Sequence, residues 1–160
     1  MSHTNTELIT PPAPPIASVL VVDDCQKNWL MVRSILEQFD LELTYAPNGE
    51  IALEMAKLVH FDVILMDHSL PGLQGDDVTR QIRTTKTRNT SSSIIAFTSE
   101  PDLVDPRAGY NGLLGKPFTA IDLTTAILVA LVEQEAVNSG SPEFDCRTPQ
   151  TCVTALKGKS

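Results

Sequence analysis

Val19-Leu20-Val21-Val22-Asp23-Asp24 decides the architecture of this 160-residue chain. Four apolar residues in a row show no polar alternation, so as a strand they are covered on both faces. Such strands belong to parallel sheets with helices on each side. The run ends on two carboxylates, so the strand carries charge to a sheet edge. Val63-Ile64-Leu65-Met66-Asp67 repeats the arrangement. Side by side, the two strands would gather Asp23, Asp24 and Asp67 into one acidic pocket. Like charges ~4 Å apart repel by about 4 kcal/mol at an effective dielectric of about 20. Such a cluster calls for a cation or for raised carboxyl pKa values.

The rest of the chain reads outward from these runs. Residues 27–39 place Trp29, Val32, Leu36 and Phe39 at helical spacing, with Trp29 and Phe39 taken as core. A short strand follows over 41–45. Asn48-Gly49 then opens a helix with Ile51, Ala52 and Met55 inward. Pro71-Gly72 breaks the chain after the second apolar run, and 76–83 reads as a short amphipathic helix. Its basic residues Arg80 and Arg83, with Lys86 and Arg88, read as a solvated helix end. Seven of the ten residues 84–93 are Ser or Thr, a solvated loop. Residues 94–97 form another buried strand, and Leu113-Leu114 a brief one before Lys116. Thr119 and Asp122 have capping-box spacing for a last helix reaching about 134. Five strands alternating with helices predict an α/β, doubly wound, five-stranded parallel sheet with helices on both faces. Ligands bind such sheets at the carboxyl ends of the strands, where Asp23, Asp24, Asp67, Thr98 and Lys116 all fall.

Composition narrows the function. Hydrophobic residues make up 42% of the chain, enough for one domain with a real core. No apolar stretch approaches the ~20 residues of a membrane span, and no secretory signal is visible. The net charge of -8 argues against nucleic-acid binding and direct membrane contact. It suits a divalent cation or a basic partner. Three cysteines, Cys25, Cys146 and Cys152, suggest a reducing cytoplasm rather than a disulfide scaffold. Cys146 and Cys152 lack a nearby histidine and are not read as a zinc site. Residues 1–17 are a proline-rich leader or linker, 18–135 the domain, and 136–160 a disordered tail. Gly140-Ser141-Pro142-Glu143-Phe144 reads as a translated cloning linker, so residues from about 139 on are left out of the fold.

Asp23-Asp24, Asp67 in Met-Asp-His-Ser-Leu-Pro-Gly, Thr98 in Ala-Phe-Thr-Ser, and Lys116-Pro117 together resemble the response-regulator receiver domain of two-component signalling. The resemblance covers about residues 18–135. It implies the flavodoxin-like receiver fold, with Asp67 as phosphoacceptor and Mg²⁺ held by Asp23, Asp24, Asp67 and Ser69. Lys116 would pair with a phosphoryl oxygen, and Thr98 would donate its hydroxyl to it. Pro117 would shape the loop that aims Lys116, through a bond commonly cis in the family. Ser69 and Glu100 hold the positions that tune phosphoryl lifetime. Taken singly, each residue has a plainer reading: Asp23 and Asp24 as helix caps, Asp67 as a turn residue, Thr98 as a strand end, Lys116 as a solvated lysine. His68 reads as an exposed loop residue.

Two features depart from the family. Lys116 follows Thr98 by 18 positions, several fewer than usual, and Pro101 and Pro106 fall in the gap. The fourth helix is therefore expected to be shortened, distorted or replaced by loop, making the output surface unusual. The aromatic residue commonly three positions before the lysine is here Leu113, with Tyr110 nearby but out of register, so a threonine-aromatic switch is in doubt.

The resemblance implies a signalling domain rather than an enzyme, fed by a histidine kinase or a histidine phosphotransfer domain. The receiver of a hybrid histidine kinase is the favoured context; a stand-alone response regulator acting by protein binding is the alternative. A binding-only degenerate receiver is opposed by the intact acidic set and lysine. A small phosphatase with an aspartate nucleophile would want a second aspartate where Ser69 stands.

Overall fold

A computed structural model describes residues 13–138. The cloning-linker reading and the two tail cysteines lie outside the described residues. Five strands, β1 (Ala17–Val22), β2 (Leu41–Ala46), β3 (Val63–Asp67), β4 (Ser93–Thr98) and β5 (Gly112–Gly115), make one parallel sheet in the order β2-β1-β3-β4-β5. Among the described residues four α-helices accompany them: α1 (Gln26–Leu36), α2 (Gly49–Leu58), α3 (Gly75–Thr84) and α4 (Ala120–Asn138). The expected doubly wound architecture is present.

The apolar runs divide by parity, as a pleated strand requires. Leu20, Val22, Ile64, Met66 and Ile94 face one way and pack with Ala52, Leu53 and Ala56 of α2 and Val78 and Ile82 of α3. Val19, Val21, Val63, Leu65, Ile95 and Phe97 face the other way, onto Val32 and Leu36 of α1 and Leu123 and Ile127 of α4. Two cores on opposite faces explain why β1, β3 and β4 contain no exposed position.

Helix ends differ from the sequence reading where local capping decides. α1 stops at Leu36, and Phe39 beyond it is 39% exposed, lining a small apolar pocket with Ile16 and Leu128 rather than joining the core. On α2, Leu53 and Ala56 turn inward with Ala52, while Ile51 is exposed on the outer side. Asn48 caps α2 by accepting from the Ile51 N–H at 2.8 Å. The capping box of α4 is formed: the Thr119 N–H donates to Asp122 at 2.9 Å and the Asp122 N–H to the Thr119 hydroxyl at 3.1 Å. The Thr119 N–H, with the Thr119 hydroxyl, holds the Asp122 carboxyl below its usual range. α4 continues through Asn138, past the expected end near 134, so residues 136–138 belong to the helix rather than to a tail.

Between β4 and β5 the only helical structure is a 3₁₀ turn, Pro101–Leu103. The expected loss of the fourth helix is thus what the structure has. The basic end of α3 is not simply solvated. Arg83 is partly buried, and its guanidinium donates to the carbonyls of Gly109, Thr90 and Ser92 and to the Asn111 side chain. Burial pushes its pKa down. Arg80 pairs with Asp77 at 2.7 Å and Asp105 at 2.6 Å.

The Ser/Thr-rich loop is anchored by a residue that no local pattern marks out. Asn89 is fully buried; its amide donates to the carbonyls of Ala56 and Val59 and its oxygen accepts from the Phe61 N–H and the Ser92 hydroxyl. Asn89→Ala would orphan two carbonyls and an N–H, so we expect a loss of about 2–3 kcal/mol in urea denaturation. A variant within error of wild type would show that water replaces the amide there.

Candidate functional site

The strand order reverses at β1, with β2 on one side and β3 on the other. Loops leaving β1 and β3 therefore diverge and open a crevice at their carboxyl ends. Asp23 and Asp24 lie just past β1 and Asp67 is the last residue of β3. One carboxylate oxygen from each lies within 4.8 Å of the others.

Asp23 is completely buried and fixed from four directions. One carboxylate oxygen accepts from the Cys25 N–H at 2.8 Å. The other accepts from the Asn28 amide at 3.0 Å and from Lys116 Nζ at 2.6 Å. Its main-chain carbonyl accepts from the Tyr45 hydroxyl at 2.9 Å. The Tyr45 ring stacks on Trp29, with centroids 5.1 Å apart and planes 9° from parallel. Trp29 is therefore a half-buried wall behind the site. Cys25, not either aspartate, occupies the N-cap position of α1. Asp24 is exposed at the pocket mouth.

Asp67 is 6% exposed and accepts from the Ser69 N–H at 3.2 Å. Lys116 Nζ lies 3.3 Å from its second oxygen. Burial pushes the Asp67 carboxyl above its ordinary range; the Lys116 ammonium opposes this and the Asp23 charge adds to it. Lys116 sits over the Phe97 ring, 4.3 Å from its centroid, a cation–π contact that steadies the ammonium between two carboxylates. The Lys116-Pro117 bond is cis.

Thr98 ends β4, and its hydroxyl accepts from the Glu100 N–H at 3.0 Å. The Ser69 hydroxyl donates to the Glu100 carboxylate at 3.0 Å, so these two side chains meet across the mouth. Thr98 pairs with Gly115, which brings Lys116 beside it.

Sequence reading missed Asn28 and Tyr45 as partners of Asp23. An amide five positions after an aspartate was the available signal for Asn28; Tyr45 had none. His68 was misread: its side chain is 14% exposed, and Nδ1 lies 3.1 Å from Asp76. Gly75 was also passed over. Its N–H donates to the His68 carbonyl at 3.1 Å. A Cβ there would stand 2.1 Å from the Asp67 carbonyl oxygen, a backbone clash that no rotamer relieves. Gly75→Ala would displace the residue that ends β3, so we expect a loss of about 2–4 kcal/mol. Thermal melting checks this; an unchanged midpoint would mean that the loop yields freely.

Such a sheet is that of a small doubly wound α/β domain with carboxylates and a lysine converging at its switch point. Residues 19–128 match the response regulator receiver domain family, and the chain belongs to it. It is 32% identical over 117 residues to the aerobic respiration control sensor protein ArcB of Escherichia coli K12, covering 71% of this chain and 15% of that protein. It is also 32% identical over 139 residues to sensor protein GacS of Pseudomonas syringae, covering 77% and 15%. The chain thus spans about 15% of the length of these curated relatives. Among solved structures it resembles the receiver domain of sensor histidine kinase PA1611 from Pseudomonas aeruginosa, crystallised with magnesium in the active-site cleft. There the TM-score is 0.67 and the identity 29%, covering 72% of this chain and 98% of that one. The chemotaxis regulator CheY4 of Vibrio cholerae matches with a TM-score of 0.66 and 28% identity, over 72% and 98%. This is a receiver domain of two-component signalling, homologous to the receivers of hybrid sensor kinases.

Proposed function

We propose that Asp67 accepts a phosphoryl group from phosphohistidine and that the domain passes the group or its signal to a protein partner. The observation that carries this reading is the convergence of three carboxylates and one ammonium at the β1/β3 switch point. An Asp67 oxygen attacks phosphorus as the P–N bond to the donor imidazole breaks, leaving an acyl phosphate on Asp67 and a free imidazole on the donor. β3 and the Ser69 N–H fix the attacking carboxylate in place. Lys116 is within reach of both Asp23 and Asp67, so it can turn to a phosphoryl oxygen without leaving the pocket. Thr98, at the end of the neighbouring strand, would donate its hydroxyl to the same group.

Asp23, Asp24 and Asp67 fit Mg²⁺: the donor set is all hard oxygen, two members are buried, and their charge exceeds what one lysine balances. Ser69, beside Asp67, is proposed to complete the set. Bound there, the ion would offset the charge that builds on the transferring phosphoryl group. The partners are a histidine kinase or a histidine phosphotransfer domain, with basic surface against this acidic chain. Both sensor proteins above share this domain as a fraction of a longer chain, which supports a hybrid histidine kinase as the natural context. We place the receiver at residues 17–138, from the start of β1 to the end of α4. Its setting is cytoplasmic, and its role is signalling rather than turnover of a separate substrate. No helix among the described residues is long and apolar enough to cross a membrane.

The test is ³¹P NMR with phosphoramidate, a P–N donor, and Mg²⁺. A protein-bound signal that hydroxylamine removes is expected, since acyl phosphates yield to it and phosphate esters do not. A signal that survives hydroxylamine, or none, overturns the reading.

A further inference from the structure

Asp76 lies outside the pocket, in the first turn of α3, yet it is only 8% exposed and both its oxygens are engaged. Oδ1 accepts from the Tyr110 hydroxyl at 2.9 Å and from His68 Nδ1 at 3.1 Å. Oδ2 accepts from the Asp105 N–H at 3.0 Å. A carboxylate only accepts, so the proton of the histidine contact sits on Nδ1. Burying a carboxylate without a cation is costly, and three donors are what make it tolerable.

The donors come from two places that need holding. His68 directly follows Asp67. Asp105 and Tyr110 belong to the β4–β5 segment, where a single 3₁₀ turn is all the helical structure present. That segment is tied to α3 a second time by Arg80 on the Asp105 side chain and by Arg83 on Gly109. On the other side, the His68 carbonyl accepts from the Gly75 N–H and the Ser69 N–H donates to Asp67. The backbone just after Asp67 is thus clamped through its carbonyl by Gly75 and through the His68 ring by Asp76. Without the ring contact the backbone after Asp67 loses one of its two restraints, and the Ser69 N–H is freer to shift from Asp67.

We propose that Asp76 is a positioning residue for the phosphoryl-accepting loop, holding His68 and hence Asp67 in register, with Tyr110 and Asp105 as its brace. The inference rests on the reading of Asp67 as acceptor. It also gives Tyr110 a part that its place in the sequence hid: braced against Asp76, it links the loop after β3 to the segment before β5.

Asp23 and Asp24 lie just past β1, away from this clamp, whereas Asp67 and Ser69 move with it. Loss of Asp76 therefore slows phosphoryl uptake more than it weakens cation binding, a split that general damage to the fold does not produce. The experiment compares wild type, Asp76→Ala and Tyr110→Phe by the rate of mass gain from acetyl phosphate at saturating Mg²⁺. Mg²⁺ affinity is read in parallel from the emission of Trp29, the single tryptophan, stacked behind Asp23. We expect the Asp76→Ala rate to fall about tenfold, since misplacement of under an ångström suffices for that. Tyr110→Phe keeps the ring and loses one hydrogen bond, for a drop of about threefold. Mg²⁺ affinity falls less than the rate in both, because Asp23 and Asp24 keep their places. Wild-type rates in both variants, or an affinity loss as large as the rate loss, overturn the proposal. Should Asp76→Ala fail to fold, a wild-type rate in Tyr110→Phe alone overturns it. If wild type itself gains no phosphoryl group, the functional reading fails first and takes this inference with it.

Discussion

Asp67→Asn is expected to abolish phosphoryl uptake while leaving a protein that melts at higher temperature than wild type. Burial raises the Asp67 carboxyl above its ordinary range, and Asp23 pushes in the same direction. The folded state therefore holds the Asp67 proton more tightly than the unfolded chain. The stability this contributes is fully present below the unfolded-state pKa and is lost as pH rises through the raised folded value. At neutral pH the ionised carboxylate is a net cost, and the isosteric amide removes it. Lys116 loses its 3.3 Å contact but keeps the shorter one, 2.6 Å, to Asp23. A gain of ~1 kcal/mol, or roughly 4 °C, is expected near neutrality. It should shrink as pH falls through the window in which wild-type Asp67 takes up its proton. Calorimetry across pH checks both the sign and the window. A less stable variant at neutral pH would mean that the Lys116 contact outweighs burial.

Lys116→Ala should act in the opposite direction on the apo protein. Lys116 Nζ bridges a fully buried Asp23 and a nearly buried Asp67. Without it three carboxylates face each other with no countercharge, and we expect a loss of about 2–3 kcal/mol without metal. Phosphoryl uptake should slow by roughly a hundredfold or more, the scale for losing a preorganised charge at a reacting centre. Affinity for Mg²⁺ should rise, because the ammonium no longer competes for Asp23. The added ion should then restore much of the lost stability but little of the rate. Melting with and without Mg²⁺, beside uptake rates, separates these effects. Equal Mg²⁺ stabilisation of variant and wild type would contradict competition between lysine and cation.

Most of the fold was legible because its strands are buried on both faces. Continuous runs such as Val19 to Val22 and Val63 to Met66 fit strands covered on both faces, and their carboxylate ends place the pocket. The Thr119–Asp122 box and the shortened β4–β5 connection were legible for local reasons: side-chain spacing in one case, length and proline in the other. What escaped depends on contacts far apart in sequence. Asn89 looks like any loop asparagine until its amide meets Ala56 and Val59. Arg83 looks solvated until the β4–β5 segment folds over it. His68 looks exposed because nothing local shows that Asp76, eight positions on, turns back toward it. Phe39 erred the other way: helical periodicity put it inside, but the helix ends before reaching it.

The most direct test of the central claim is the intact mass of wild type after acetyl phosphate with Mg²⁺ and with EDTA. The account requires a gain of about 80 Da in Mg²⁺ that is missing in EDTA and in Asp67→Asn. An unchanged mass in Mg²⁺, or a gain that persists in Asp67→Asn, would contradict it.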